Sequence, residues 1–250
     1  YVINSLLYYN LTHEYKIHVI ALIRNHEKAM KMYSSQIAID PLNLTFVEGN
    51  VENLPEIEGQ IDFILHAASP TASVYFVENP VETIRTSVKG TWNILQLAKE
   101  KNIEGMVYLS SMEVYGSVHS EEKVKEDHAS FLDTMSPRNS YPESKRLCEN
   151  LCASYCKEYN IPVNCIRLTQ TFGPGIHYND QRIFAMLIRC ALKGEDIKLL
   201  TEGKTKRSYL YLADAATAIL TVLSHNEIGK TFNAANEEAV NAFIHGRISF

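Results

Sequence analysis

Tyr141 and Lys145 stand four residues apart in Tyr141-Pro142-Glu143-Ser144-Lys145, downstream of a polar stretch, Ser110-Ser111-Met112-Glu113-Val114-Tyr115-Gly116. Four-residue spacing on a helix puts a phenol and an ammonium on one face. A phenol titrates near 10 and a lysine near 10.4, so a nearby ammonium, joined by a bound cation such as an oxidised nicotinamide, would lower the phenol's pKa and make it a base near neutrality. Ser111 would hydrogen-bond the same substrate oxygen as Tyr141. Together they position a hydroxyl to lose its proton while its carbon is oxidised. The chemistry these types and spacings allow is alcohol oxidation.

Such a group needs elements to hold it. The apolar run 106–109 reads as a buried parallel strand, which puts Ser110 to Gly116 at its C-terminal edge, where open α/β sheets bind ligands. Pro142 suits a first helical turn, so a helix opens at Tyr141. Further strands are expected at 17–23, 44–47, 61–65, 163–168 and 231–233. Helices are expected at 1–13, 26–35, 80–102 and 180–192, with another opening at Asp214 and running to Leu223. Strands alternating with helices predict an α/β fold, a doubly wound parallel sheet.

Composition narrows the classes. The 250 residues can bury a sizeable core, and 46% hydrophobic with 21% charged residues is a globular balance. The formal charge of −5, without a long basic run, argues against a nucleic-acid partner. No apolar run reaches the roughly 20 residues of a membrane span, so no membrane association is expected. Five cysteines without a Cys-x-x-Cys pair read as a reducing, cytoplasmic setting. Cys148, Cys152 and Cys156 repeat every four residues, but no histidine accompanies them at zinc spacing. They read as core, and no metal is expected. The acids between residues 118 and 137 read as a solvated loop or lid.

At these residues the chain resembles the extended short-chain dehydrogenase/reductase family, the NAD-dependent epimerases and dehydratases of nucleotide sugars, and within it most nearly the group that decarboxylates UDP-glucuronate. The resemblance is carried by His66-Ala67-Ala68-Ser69-Pro70, Gly90-Thr91-Trp92-Asn93, Glu113-Val114-Tyr115-Gly116, Pro137-Arg138, residues 141–146, Thr171-Phe172-Gly173-Pro174, Asn179-Asp180 with Arg182, and Arg207 with Asp214. Tyr-x-x-x-Lys alone is weak. In register with the preceding serine strand end and the following Thr-Phe-Gly-Pro, it is specific.

The resemblance implies a Rossmann-type sheet over residues 1–168 that carries the catalytic group, and a smaller substrate lobe over 169–250 with returning elements. In the family a strand and a Gly-x-x-Gly-x-x-Gly turn precede the first helix, and none of the 11 glycines forms such a cluster. A fragment that lacks that turn and ends early is therefore expected. Ser111, Glu113, Tyr141 and Lys145 are the implied catalytic residues. Arg24, Asn50, Val51, Ala67 and Ala68, with Tyr141 and Lys145, are the implied cofactor contacts. Arg24 leans towards NADP, because an arginine after the second strand can accept a 2′-phosphate, whereas the family resemblance favours NAD. Thr171, Arg182 and Arg207 are implied for a nucleotide-sugar substrate, the arginines by bidentate contact with its diphosphate. His66 reads as structural. A homodimer through the helices at 80–102 and 141–159 is implied as well.

One Ser-Tyr-Lys group can serve several reactions. Oxidation at a sugar carbon acidifies the adjacent hydrogen and makes a β-carboxylate a leaving group. A 4,6-dehydratase of the dTDP-glucose type has an aspartate at position 112, where Met112 cannot donate a proton. Glu113 fits the decarboxylases and the GDP-mannose type of dehydratase, although the decarboxylases carry beside it a hydroxyl that Met112 lacks. An NAD(P)-dependent enzyme decarboxylating UDP-glucuronate is therefore expected, with dehydration or epimerisation as alternatives. A silent NAD(P)-binding redox sensor is the alternative of another class, and such proteins commonly lose the tyrosine or the lysine kept here.

Overall fold

The computed structural model describes residues 1–70, 73–118, 123–180, 182–197, 208–225 and 227–234. Helix α1 (Val2–Thr12) leads to β1 (Val19–Ile23), α2 (His26–Met32), α3 (Ser34–Ile39) and β2 (Leu44–Glu48). Then come β3 (Phe63–His66), α4 (Ser73–Glu78), α5 (Pro80–Lys101), β4 (Gly105–Ser111), α6 (Ser140–Tyr159) and β5 (Val163–Leu168). The remaining elements are β6 (Gln170–Phe172), α7 (Ile183–Lys193), β7 (Tyr209–Tyr211), α8 (Leu212–Leu223) and β8 (Thr231–Ala234). The expected helix at 26–35 is two helices. Asn25 caps α2 by accepting from the Lys28 amide at 2.8 Å, and the chain leaves helical geometry at Tyr33. Asp214 lies in the first turn of α8 and Tyr211 occupies the cap. Strands β6 and β7 and helix α4 carry no clear periodic signal in the sequence.

Among the described residues every pairing between named strands is parallel. β3, β4, β5 and β8 lie side by side in that order, while β1 pairs with β2 and β6 with β7. Parallel strands need cover on both faces, and the inner strands read as near-continuous apolar runs for that reason. Strand parity divides the cover. Met106 and Tyr108 of β4 with Val163 and Cys165 of β5 meet Ile94, Leu95 and Ala98 of α5 and Cys148 and Cys152 of α6. Val107 and Ile166 point the other way, to Ala215, Ile219 and Val222 of α8. Residues beyond 169 thus return to the main sheet through α8 and β8. Cys148 and Cys152 are buried and behave as small apolar side chains.

Contact between α5 and the loop after β2 depends on Gly90. A Cβ there would lie 2.6 Å from Val51 Cγ2 and 3.1 Å from Val51 Cβ, and a β-branched side chain has little freedom to turn aside. Asn93, one turn on, donates its amide to the Val51 carbonyl at 2.9 Å and to that of Glu52 at 3.0 Å. Gly90→Ala should lower the free energy of unfolding by about 1–3 kcal/mol through overpacking, despite a helix-propensity gain of about 1 kcal/mol. Urea denaturation measures it, and a variant as stable as the wild type would show that α5 can move off Val51.

Candidate active site

Strand β4 ends at Ser111, and the chain turns at once into a 3₁₀ turn, Met112–Tyr115. Ser111 caps it, its hydroxyl accepting from the Glu113 amide at 3.2 Å. Gly116 leaves the turn at φ +72°, where a Cβ would meet the Phe131 carbonyl oxygen at 2.5 Å, so only glycine fits. The turn raises Ser111 and Glu113 at the C-terminal edge of the sheet.

Helix α6 supplies the phenol and the ammonium. Tyr141 lies in its first turn and Lys145 one turn on, both buried. The Lys145 ammonium donates to the Leu109 carbonyl of β4 at 2.6 Å and sits 4.7 Å over the Tyr108 ring. The Ser111 hydroxyl lies near enough to the Tyr141 phenol to act on it. Ser111, Glu113, Tyr141 and Lys145 thus lie together at the end of β4. Their electrostatics differ from expectation. Burial pushes the Tyr141 phenol up to about 12, opposed by the Ser111 hydrogen bond and reinforced by the Glu113 charge. Burial likewise brings Lys145 down to about 8. In the protein alone desolvation governs the phenol, and Lys145 is not among the groups that shift it. His66, 3% exposed and 3.0 Å from the Thr91 hydroxyl, is lowered to about 3 by burial and is a neutral structural group.

Two side chains with no role assigned from sequence join the site, one against the phenol and one against Glu113. Phe76 of α4, 1% exposed, stacks on Tyr141 with ring centres 4.9 Å apart and planes within 11°. Arg138, in the short turn Pro137–Asn139 that leads into α6, lies 4.7 Å over the same Phe76 ring. Its Nη1 is 3.6 Å from Glu113 Oε2.

Beneath the site lies a partly buried ion pair. Ser110 and Arg167 are opposite each other on β4 and β5, and both reach Glu149, one turn below Lys145. Ser110 donates to Glu149 at 2.5 Å, and Arg167 grips both carboxylate oxygens at 2.9 and 2.7 Å. Arg167 also donates to the Tyr115 hydroxyl at 2.8 Å, and that hydroxyl donates to Asn233 of β8 at 2.5 Å. Glu126, in the acidic loop read as solvated, accepts from the Asn233 amide at 2.8 Å. A carboxylate on the helix face of a buried lysine was the sequence signal for this network.

The implied cofactor residues lie beyond strand ends. Arg24 follows β1, and Asn50 and Val51 follow β2. Ala67 and Ala68 follow β3, where both are exposed and leave room for a close ligand. Asn50 spends its amide oxygen on the Glu52 and Asn53 backbone amides at 3.0 and 2.9 Å, closing a turn, and Val51 is buried against Gly90. Small exposed residues at one strand end and a buried lysine with ammonium donors to spare at another fit a dinucleotide's nicotinamide side. On the substrate side, Arg182 forks onto Asp180 and donates to the Thr171 carbonyl at 3.0 Å. Arg207 lies outside the described residues. Among the described residues no cluster of three or more His, Cys, Asp or Glu could hold a metal ion, and no helix is long and apolar enough to cross a membrane.

The family model for the NAD dependent epimerase/dehydratase family matches residues 4–235. UDP-glucuronic acid decarboxylase 1 of Xenopus tropicalis is 32% identical over 181 residues, which are 72% of this chain and 42% of the relative. The chain thus spans under half of that relative's length. Among solved structures, the UDP-N-acetylglucosamine 4-epimerase of Methanobrevibacter ruminantium has a TM-score of 0.79 at 20% identity, covering 94% of this chain and 71% of its own. The dTDP-glucose 4,6-dehydratase of Streptomyces venezuelae, solved with NAD, has a TM-score of 0.76 at 23% identity, covering 98% and 76%. These two share the fold with this chain.

Two expectations follow from the buried charges. Lys145 titrates near 8 when folded and near 10.4 when unfolded, so between those values only the unfolded chain keeps the proton, and stability rises with pH. The stability advantage of the wild type over Lys145→Met should therefore grow by on the order of 2–3 kcal/mol from about pH 8 to pH 10. A difference that stays level would place the ammonium in water. Arg167→Met should cost about 3–5 kcal/mol by stranding the Glu149 charge, and adding Glu149→Leu should recover much of it. Denaturant unfolding of the double-mutant cycle checks this, and additive losses would contradict the pair.

Proposed function

This chain belongs to the NAD dependent epimerase/dehydratase family, and on that premise we propose that it modifies a nucleotide sugar by transient oxidation, decarboxylating UDP-glucuronate. The observation that carries this reading is the juxtaposition of the Ser111 hydroxyl at the end of β4 with the buried Tyr141 phenol, with Lys145 one helical turn below and Glu113 at the same strand end. A sugar hydroxyl held between Ser111 and Tyr141 gives its proton to the phenol oxygen, which must first be made basic. NAD, when bound, supplies the oxidant, and its positive charge acts on the phenol in the sense opposite to burial. Lys145 holds the nicotinamide ribose, and Ala67 and Ala68 leave room beside it. Arg24, the Asn50 side-chain NH2 that the turn leaves available, and the Val51 backbone would serve the adenosine end.

Oxidation of the ring carbon β to the carboxylate turns the substrate into a β-keto acid, whose carbon dioxide leaves without a metal. Glu113, held above the sheet edge by the Ser111 cap, relays the proton that replaces it, and return of the hydride from the reduced cofactor to the keto carbon would give the UDP-pentose. The likeness to UDP-glucuronic acid decarboxylases supports this choice. Met112 argues against a dehydration that needs a donor at that position. Dehydration of the GDP-mannose type, and epimerisation, use the same four residues and remain the second reading. A silent redox sensor is disfavoured because both Tyr141 and Lys145 are present and in register. Thr171, Arg182 and Arg207 would bind the substrate, with Asp180 exchanging for diphosphate on Arg182.

We also propose a homodimer through α5 and α6, whose outer faces leave Val81, Ile84, Trp92 and Leu147 exposed. Five free thiols suit a reducing, cytoplasmic compartment.

The full-length protein with NAD should release carbon dioxide and a UDP-pentose from UDP-glucuronate. Tyr141→Phe should lower that rate about 100- to 10,000-fold with little change in UDP-glucuronate binding. Unchanged turnover in the variant, or no carbon dioxide from the wild type, would overturn the decarboxylase reading.

A further inference from the structure

Arg138 differs from the other guanidiniums around it. Arg146 donates to the Val114 and Ser130 carbonyls, Arg167 to Glu149 and Tyr115, and Arg182 to Asp180 and Thr171. Arg138 makes no hydrogen bond within the described residues. Its side chain, 45% exposed, rests on the Phe76 ring, and its Nη1 lies 3.6 Å from Glu113 Oε2, an ion pair too long for a well-formed hydrogen bond. The Phe76 ring holds the guanidinium beside Glu113 while its hydrogen-bond donors stay unspent, and a guanidinium in that state can receive a planar oxyanion. The ring that aligns it is the ring stacked on Tyr141. The fork and the phenol therefore share one rigid support.

Charge defines what it would receive. A sugar held between Ser111 and Tyr141 lies beside Glu113, and a second carboxylate brought there meets like-charge repulsion. Met112 has no donor to offset it. Arg138 is a cation already paired with Glu113 and has donors to spare. Resting on the nucleotide-sugar reading above, we propose that Arg138 binds the sugar carboxylate of an acidic nucleotide sugar and sets the preference for acidic over neutral sugars at this site.

The test is the ratio of two affinities. Calorimetry with the full-length protein and NAD would compare UDP-glucuronate with UDP-glucose for the wild type, Arg138→Gln and Arg138→Lys. Loss of a charge-assisted contact should weaken UDP-glucuronate about 10-fold or more in Arg138→Gln and leave UDP-glucose binding unchanged, with Arg138→Lys retaining part of the preference. A merely structural role would weaken both ligands alike. Equal loss for both, or no loss for either, overturns the inference even if the wild type decarboxylates UDP-glucuronate. A wild type that binds the acid in preference and loses that preference in Arg138→Gln supports it even if no carbon dioxide forms, in which case only the decarboxylase reading falls. A wild type with no preference for the acid overturns it outright.

Discussion

A lysine ammonium, 3% exposed, donating to the carbonyl of Leu109, is the contact on which the site depends. A buried ammonium is costly unless paired with oxygen, so helix α6 is fixed in height and rotation against the end of β4. Tyr141, one turn earlier on the same helix face, is carried with it to the Ser111 hydroxyl. Glu149, one turn later, is carried to Ser110 and Arg167. One helix face thus makes three successive contacts with the sheet edge: phenol to hydroxyl, ammonium to carbonyl, and carboxylate to guanidinium. The same burial that positions the lysine lowers its pKa and raises that of the tyrosine, so the protein alone holds the phenol protonated.

Much of this was legible in the sequence because it lies in short-range spacing. Tyr141 and Lys145 announce a shared helix face, and the run before Ser110 announces a strand with polar residues at its tip. The alternation of strands and helices gave the sheet, since strands covered on both faces must be apolar throughout. Element limits were less legible. Nothing in the periodicity of 26–35 marks Tyr33 as a break, and β6 and β7 are three residues each, too short to show a period.

The rest was hidden because it depends on distance in the chain. Phe76 and Tyr141 are 65 residues apart, and Ser140 at the start of α6 helps to bring them together by donating to the Phe76 carbonyl at 3.2 Å. Arg167 and Ser110 meet through strand register. Asn50 reads as a cofactor contact from its position, yet its side-chain oxygen closes a local turn, a competition that short polar side chains commonly present. The effect of burial on the two pKa values also needed three dimensions, because spacing shows a neighbouring charge but not the loss of water around it.

The central claim is that these groups oxidise a sugar transiently at the carbon β to its carboxylate. Single-turnover release of carbon dioxide from UDP-glucuronate, compared between substrate with hydrogen and with deuterium at that carbon, tests it most directly. Oxidation before decarboxylation predicts release several-fold slower from the deuterated substrate, and identical release from both would contradict it.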